Sequence, residues 1–327
     1  MAKLRLQGLL AKAETSYGVD ATPVPGTDGV QLDANLWGSI KVEPLEANAR
    51  DDAHTGKLGT FAGGAPSGWY AQVSLKGCWK GAGVAYGLAV MPEYQALLSG
   101  CGVGLVATTT AGNEKWVGTL QDTASATFTS LTLYAYAAGT LFKITGALGK
   151  LSWDFQAGKY GFWTMDFTGV VSTAGAVSDA ALPSITYPRI AVQPPIGAGA
   201  TLSLNGVGVP WKSFTGDTGA EISEKPRGNS ADGHAGYEIT NFAPTAKASF
   251  DSPVKATLDP WALRRAGTQF PWSFGPVGST QYNRVTLGGS KTQITSVDHQ
   301  EDKYAMVNVG LRLVTDPNTA PLTITLD

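Results

Sequence analysis

One stretch constrains this chain more than any other: Ser152 to Val171 has a second copy running from Ser296 to Thr315. Ser152, Asp154, Gln156, Lys159 and Tyr160 recur as Ser296, Asp298, Gln300, Lys303 and Tyr304. After each tyrosine the apolar residues alternate in the same phase, as Trp163, Met165 and Phe167 in the first copy and Val307, Val309, Leu311 and Leu313 in the second. Period-two alternation in aromatic and branched residues is the pattern of a strand with one face in a core. Each copy therefore ends in a long, half-buried strand, and Tyr160 and Tyr304 mark equivalent points.

Further landmarks return in the same order. Leu32, Asn35 and Gly38 are echoed by Leu202, Asn205 and Gly208; Ala71 and Ser74 by Ala246 and Ser249; and a short helix after Pro92 by one after Pro260. The separation falls from 170 residues at Leu32 to 144 at Tyr160, so the first copy carries extra residues, placed between Ala107 and Thr129. At 327 residues there is room for two domains. The expected layout is an extended N-terminal arm over 1–29, one domain over 30–175, a Pro/Gly-containing connector over 176–200 and a second domain over 201–327. The arm is inferred from the glycines and prolines between Glu14 and Gly26.

The 41 glycines and the abundance of Thr, Ser, Ala and Val point to a mainly β chain with many turns. Strands are expected at Ser130–Ala135, Leu141–Thr145 and Lys150–Gln156, and a helix from Met91 to Gly100, with Pro near its start. Charged residues make up 15% and the net charge is −2, which disfavours a nucleic-acid-gripping surface. The acidic pairs Glu43/Glu46 and Glu221/Glu224 reinforce that reading. The N-terminus lacks the apolar run of a signal peptide and no stretch suits a bilayer, so retention in a cytosol without membrane insertion is expected. Cys78 and Cys101 are expected to be free thiols.

Chemical motifs fail on inspection. Gly206 to Ser213 lacks the glycine that a phosphate loop needs before its lysine, because Trp211 stands there. Ser252-x-x-Lys255 has acylase spacing without the companion motifs. Asp51, Asp52 and His54 fall in a charged loop where such residues are ordinary, and metal sites need several converging ligands. No catalysis, cofactor or metal is expected. Trp69, Tyr70, Trp79, Trp153 and Trp163 keep a carbohydrate-binding or adhesion module as the alternative reading, although aromatic residues at strand positions usually fill cores.

Leu9 to Pro23 with its Glu14-x-x-Tyr17-Gly18 segment, Leu32 to Trp37, the charged loop, Tyr70 to Gly77, and the helix closing at Gly100-Cys101-Gly102 resemble the major tail tube proteins of long-tailed bacteriophages. The resemblance implies β-sandwich domains with a flanking helix, whose inner sheets join into a barrel on ring formation. Stacked rings make a virion tube, assembled in the host cytoplasm, through which double-stranded DNA passes transiently at genome ejection. It also implies contacts with tail terminator, tape-measure and distal tail proteins. A duplicated domain favours three chains per ring with pseudo-six-fold symmetry, six chains being the alternative. The polar loop carrying Glu46, Arg50, Asp51, Asp52 and His54 and the arm carrying Glu14, Tyr17, Gly18 and Asp20 are expected to mediate stacking. Arg312, on the polar side of the last long strand, is expected to face away from the lumen or to sit beside a carboxylate.

Overall fold

Two strands of 17 residues each, Thr140–Gln156 and Val285–Glu301, organise the molecule. A computed structural model describes residues 6–45, 47–50, 62–66, 68–121, 128–171, 175–230, 233–301, 304–314 and 319–327, and shows a mainly β chain with large antiparallel sheets and two short helices. Each long strand starts in one sheet and ends in another. In the first, the crossing falls at Gly146, with φ +60°, where the register slips between Thr145 and Leu148. A residue without Cβ adopts that left-handed conformation at little cost and lets the strand bend. The segments 141–145 and 150–156, expected as separate strands, are therefore one strand with a bulge, and the glycine that suggested a turn supplies the bend.

The C-terminal halves of both long strands lie in one shared sheet. Its order is Ile40–Pro44, Trp69–Cys78, Phe162–Val170, the end of Thr140–Gln156, Trp211–Asp217, Thr245–Asp251, Ala305–Leu313 and the end of Val285–Glu301. All neighbours are antiparallel, and among the described residues the run has two ends, each paired on one side. Alternation sorts its side chains: Val73, Leu75, Trp163, Met165, Phe214, Ala248 and Val309 are buried on one face, while the opposite face is polar.

The N-terminal halves of the long strands enter two outer sheets. One runs Gly29–Val30, Gln7–Ala13, Leu131–Ala137, Thr140–Gln156, Val177–Asp179. The other runs Val207–Val209, Thr201–Leu204, Gln269–Val277, Val285–Glu301, Thr323–Leu326. Strand for strand, the second set repeats the pairings of the first. The hairpin of Val103–Thr108 and Lys115–Leu120 has no counterpart among the described strands of the second half, and it pairs onto Thr323–Leu326. The extra residues of the first copy thus begin at Val103, before the expected Ala107. Buried side chains of both halves, from Leu9 and Leu133 to Phe274 and Ile324, join in a single cluster between the layers.

Part of the expected arm is sheet. Gln7–Ala13 pairs with Leu131–Ala137 over its whole length, and Leu9 and Leu10 are fully buried. Its pattern is not a clean alternation because both faces are covered, Leu9 by the main core and Leu10 by Tyr134, Leu141 and Ile185. The connector likewise packs closely. Val177–Asp179 is a strand, and Ile185 lies so near Gly8 that a Cβ there would come within 2.4 Å of it. Further on, Lys80 Nζ donates to the Arg189 carbonyl (3.0 Å) and Gln31 Oε1 (2.7 Å) and pairs with buried Glu93 at 3.0 Å.

The first helix is Gln95–Gly100, starting after a turn at Pro92 rather than at Met91, and buried Tyr94 anchors the turn by donating to the Lys80 carbonyl at 2.8 Å. The second, Pro260–Ala266, is capped by Asp259 Oδ1, which accepts from Ala262 N, and is closed by left-handed Gly267. Cys101 is buried and Cys78 half-buried, both free, and burial pushes the Cys78 thiol up to about 12. Among the described residues no helix is long and apolar enough to cross a membrane.

Candidate assembly interface

Among the described residues the shared sheet has one internal seam and two free edges. At the seam, the first half's Thr140–Gln156 pairs with the second half's Trp211–Asp217: Ser152 opposes Asp217, Asp154 opposes Thr215, and Gln156 opposes Ser213. On the core side Phe155 and Phe214 are both fully buried, and Phe274 packs on both at 4.9 and 4.8 Å. Trp211 stands edge-on to Phe274 and donates Nε1–H to the Ala200 carbonyl at 2.7 Å. Gly216 makes room for Trp153, whose ring would lie 2.4 Å from a Cβ at that position.

The free edges are Ile40–Pro44 and residues 296–301, each paired on one side only. Their flanks are correspondingly less covered. Ile40 and Val42 are half-buried and His299 is exposed, stacked on Trp261 at 5.3 Å. The helix beside the free edge, Pro260–Ala266, buries only Pro260, whereas Gln95–Gly100 buries Leu97, Leu98 and Gly100. An unpaired antiparallel edge with apolar flanks is a template for another strand.

The polar face carries balanced charge. By strand parity and register it presents Lys41, Lys76, Lys150, Lys247 and Arg312 against Glu43, Asp154, Asp166, Asp217, Asp251 and Asp298. Lys150 and Asp166 form an exposed ion pair at 3.6 Å, and Asp166 also accepts from Ser74 Oγ at 2.6 Å. Arg312 does face this side, next to Thr245 in the cross-strand row that continues to Asp217. A depression of about 740 Å³ toward the free edge gathers Lys159, Lys212 and Lys247 with Asp298. At the other end the hairpin of Ala220–Pro226 and His234–Phe242 folds across the sheet, setting Tyr237 and Ile239 on Leu148, Tyr70 and Val170. Glu224 of that hairpin meets the buried His234 Nδ1 at 2.9 Å.

The arm residues are engaged within the chain. Glu14 is buried, and its carboxylate accepts four hydrogen bonds: Oε2 from Ser130 Oγ (2.6 Å) and Gly18 N (2.7 Å), Oε1 from Gly146 N (2.8 Å) and Thr132 Oγ1 (2.9 Å). Tyr17 reaches the second half, where its hydroxyl accepts from Tyr237 N at 2.6 Å. Its ring fits over two left-handed glycines, and a Cβ would come within 2.7 Å of it at Gly146 and 2.1 Å at Gly236. Burial raises the Tyr17 pKa, with the Glu14 charge adding to the rise and the bond from Tyr237 opposing it. Asp20 accepts from Tyr134 OH at 2.6 Å. The Glu-x-x-Tyr-Gly segment thus locks the bend of the first long strand to the second half's hairpin.

Other expected site residues fall as follows. Tyr160 and Tyr304 are both exposed, shortly after the two long strands, Tyr160 bridged to Ile196. Arg50 ends the strand Ala47–Arg50, which pairs with Ala62–Pro66, while Glu46, Asp51, Asp52 and His54 lie outside the described residues. Of the aromatic residues that suggested a sugar platform, Trp79, Trp153 and Trp163 are buried in the core. One signal was overlooked: Trp37-x-Ser39-Ile40-x-x-Glu43 recurs as Trp211-x-Ser213-Phe214-x-x-Asp217, which makes the free edge Ile40–Pro44 the sequence counterpart of the seam strand.

Replacing Glu14 by Ala should destabilise the fold by about 3 kcal/mol, since four buried or half-buried donors lose an ionised acceptor, and Tyr17→Phe by about 1 kcal/mol. Urea denaturation of the two variants measures both; an unchanged midpoint for Glu14→Ala would show that the segment does not hold the bend. No protein-family model matches the chain, and no curated protein matches it.

Proposed function

We propose that the protein is a structural subunit of a long-tailed phage virion, built from two tandem tail-tube-like β-sandwich domains, that closes with copies of itself into rings and stacks the rings into a hollow tube for DNA. The observation that carries this reading is the shared sheet: eight strands in which two similarly paired halves already dock side by side, leaving a free edge of each kind at the ends. Closing such edges against other copies removes an aggregation hazard and completes the apolar flanks. Closed cyclic symmetry is the usual solution for identical chains.

Three chains would bring roughly two dozen strands into one barrel. With strands about 4.8 Å apart and tilted about 40°, the backbone diameter is roughly 50 Å, while six chains would double it. The polar face would line the bore. Tail terminator, tape-measure and distal tail proteins are the expected partners at the tube ends and within it, and assembly takes place in the host cytoplasm.

Native mass spectrometry of the purified protein should give a three-chain ring, with tubes visible by electron microscopy. A monomer that never assembles at any concentration would overturn the reading, and a six-chain ring would overturn the stoichiometry. We assign ring stacking to residues 51–61, which join the paired strands Ala47–Arg50 and Ala62–Pro66 in the sequence. Exchanging 51–54 for a Gly-Ser repeat should leave rings intact and shorten tubes, an outcome read from tube lengths. Truncation of 1–20 is no test of stacking, because it removes the strand Gln7–Ala13 and the Glu14 anchor.

Assembled tubes should not retain DNA. Duplex DNA carries about one charge per 1.7 Å, and a strongly basic wall would hold it through counterion release. Among the described residues, the five cationic and six anionic side chains of the strand rows, with Lys159 and Lys212 added in the depression near Asp298, give a nearly balanced face rather than such a wall, and those lysines are the most adhesive part of it. Binding measured over a salt series should be weak and flat; tight, steeply salt-dependent binding would remove the passive-conduit mechanism.

A further inference from the structure

The internal seam is a template for a contact the chain cannot make with itself. Its two strands have counterparts at the free edges: Ser152-x-Asp154-x-Gln156 recurs as Ser296-x-Asp298-x-Gln300, and Trp211-x-Ser213-Phe214 as Trp37-x-Ser39-Ile40. We propose that residues 296–300 of one chain pair antiparallel with residues 39–43 of a second copy in one fixed register: Ser296 opposite Glu43, Asp298 opposite Lys41 and Gln300 opposite Ser39. This deepens the tube reading and rests on it. Each pair is the transposed form of one already made at the seam, where Ser152 meets Asp217, Asp154 meets Thr215 and Gln156 meets Ser213.

Charge selects the register. In the proposed alignment the edge gains an Asp–Lys pair where the internal seam has Asp–Thr, and Ser–Glu stands where it has Ser–Asp. A slip of two residues in one direction places Asp298 opposite Glu43, two carboxylates on adjacent strands, which is destabilising. A slip of two in the other places Asp298 opposite Ser39, so that Lys41 meets Ser296 in place of a carboxylate and Glu43 falls opposite Ile294. A slip of one turns His299 and Val297 to the polar face and is excluded by the alternation. On the core side the alignment sets His299 over Ile40 and Val297 over Val42, the places held at the seam by Phe155 with Phe214 and Trp153 with Gly216. The half-buried Ile40 and Val42 and the exposed His299 would then be covered.

Paired cysteines read the register in the full chain. Lys41→Cys with Asp298→Cys should give, on mild oxidation, covalently closed rings in a non-reducing gel, as cross-strand neighbours lie within disulfide reach. Glu43→Cys with Asp298→Cys should not, and Asp154→Cys with Thr215→Cys is the intrachain control. A charge exchange is the second arm: Lys41→Asp or Asp298→Lys alone should lose the ring species in native mass spectra, and the double exchange should recover it. If wild-type rings form but the 43/298 pair cross-links in place of 41/298, or the double exchange fails to recover rings, the register is overturned while the tube reading stands. If the wild-type protein forms no ring, the tube reading fails and this inference with it.

Discussion

The architecture depends on one desolvated contact, that of Phe155 and Phe214, opposed across the internal seam, with Phe274. Both rings are fully buried and share Phe274 as a packing partner. Burial of side chains of that size contributes about 2–3 kcal/mol each, and here it also joins two halves whose buried residues form one core. Without that contact the sheet would fall into two four-stranded pieces, each with an apolar flank at its new edge. The seam thereby converts two similar pairing schemes into one continuous sheet, and the free edges acquire their meaning from it.

The second support is the anchored bend of the first long strand. Gly146 turns the strand from the outer to the shared sheet, and its backbone N–H is held by Glu14 while its missing side chain makes way for Tyr17. A carboxylate that accepts four donors from three separate stretches of chain is a local cross-link without a covalent bond. Together with Tyr17, whose hydroxyl accepts from Tyr237 N, it ties the beginning of the chain, the crossing point and the second half's hairpin into one unit.

Where a segment has one wet and one dry face, its sequence was legible. The strands around Trp163 and Val309 show this, while the helix Pro260–Ala266 was legible as an echo of the one after Pro92. Gln7–Ala13 was not legible because Leu9 and Leu10 are both buried, so no alternation marks it as a strand. Gly146 read as a turn because a bulge and a turn use the same residue. The role of Glu14 could not be read at all, since Ser130, Thr132 and Gly146 lie more than a hundred residues away in the sequence. Trp37 and Trp211 open matching segments, but the echo of Leu32, Asn35 and Gly38 in Leu202, Asn205 and Gly208 has a different spacing, 170 residues, and hides that alignment.

Covalent linkage of the two halves has a consequence for counting. A ring assembled from separate single units can err by one unit, gaining or losing a single seam and barely changing its curvature. In the ring we propose, half-units would enter only in pairs, so rings with an odd number of them would be forbidden by the chain itself. The smallest possible miscount changes the ring by two half-units, and every seam, including the rigid aromatic one inside each chain, would have to open or tighten to absorb it. In such a ring, tandem fusion would act as an error filter on size, one that operates at translation, before any surface meets its partner.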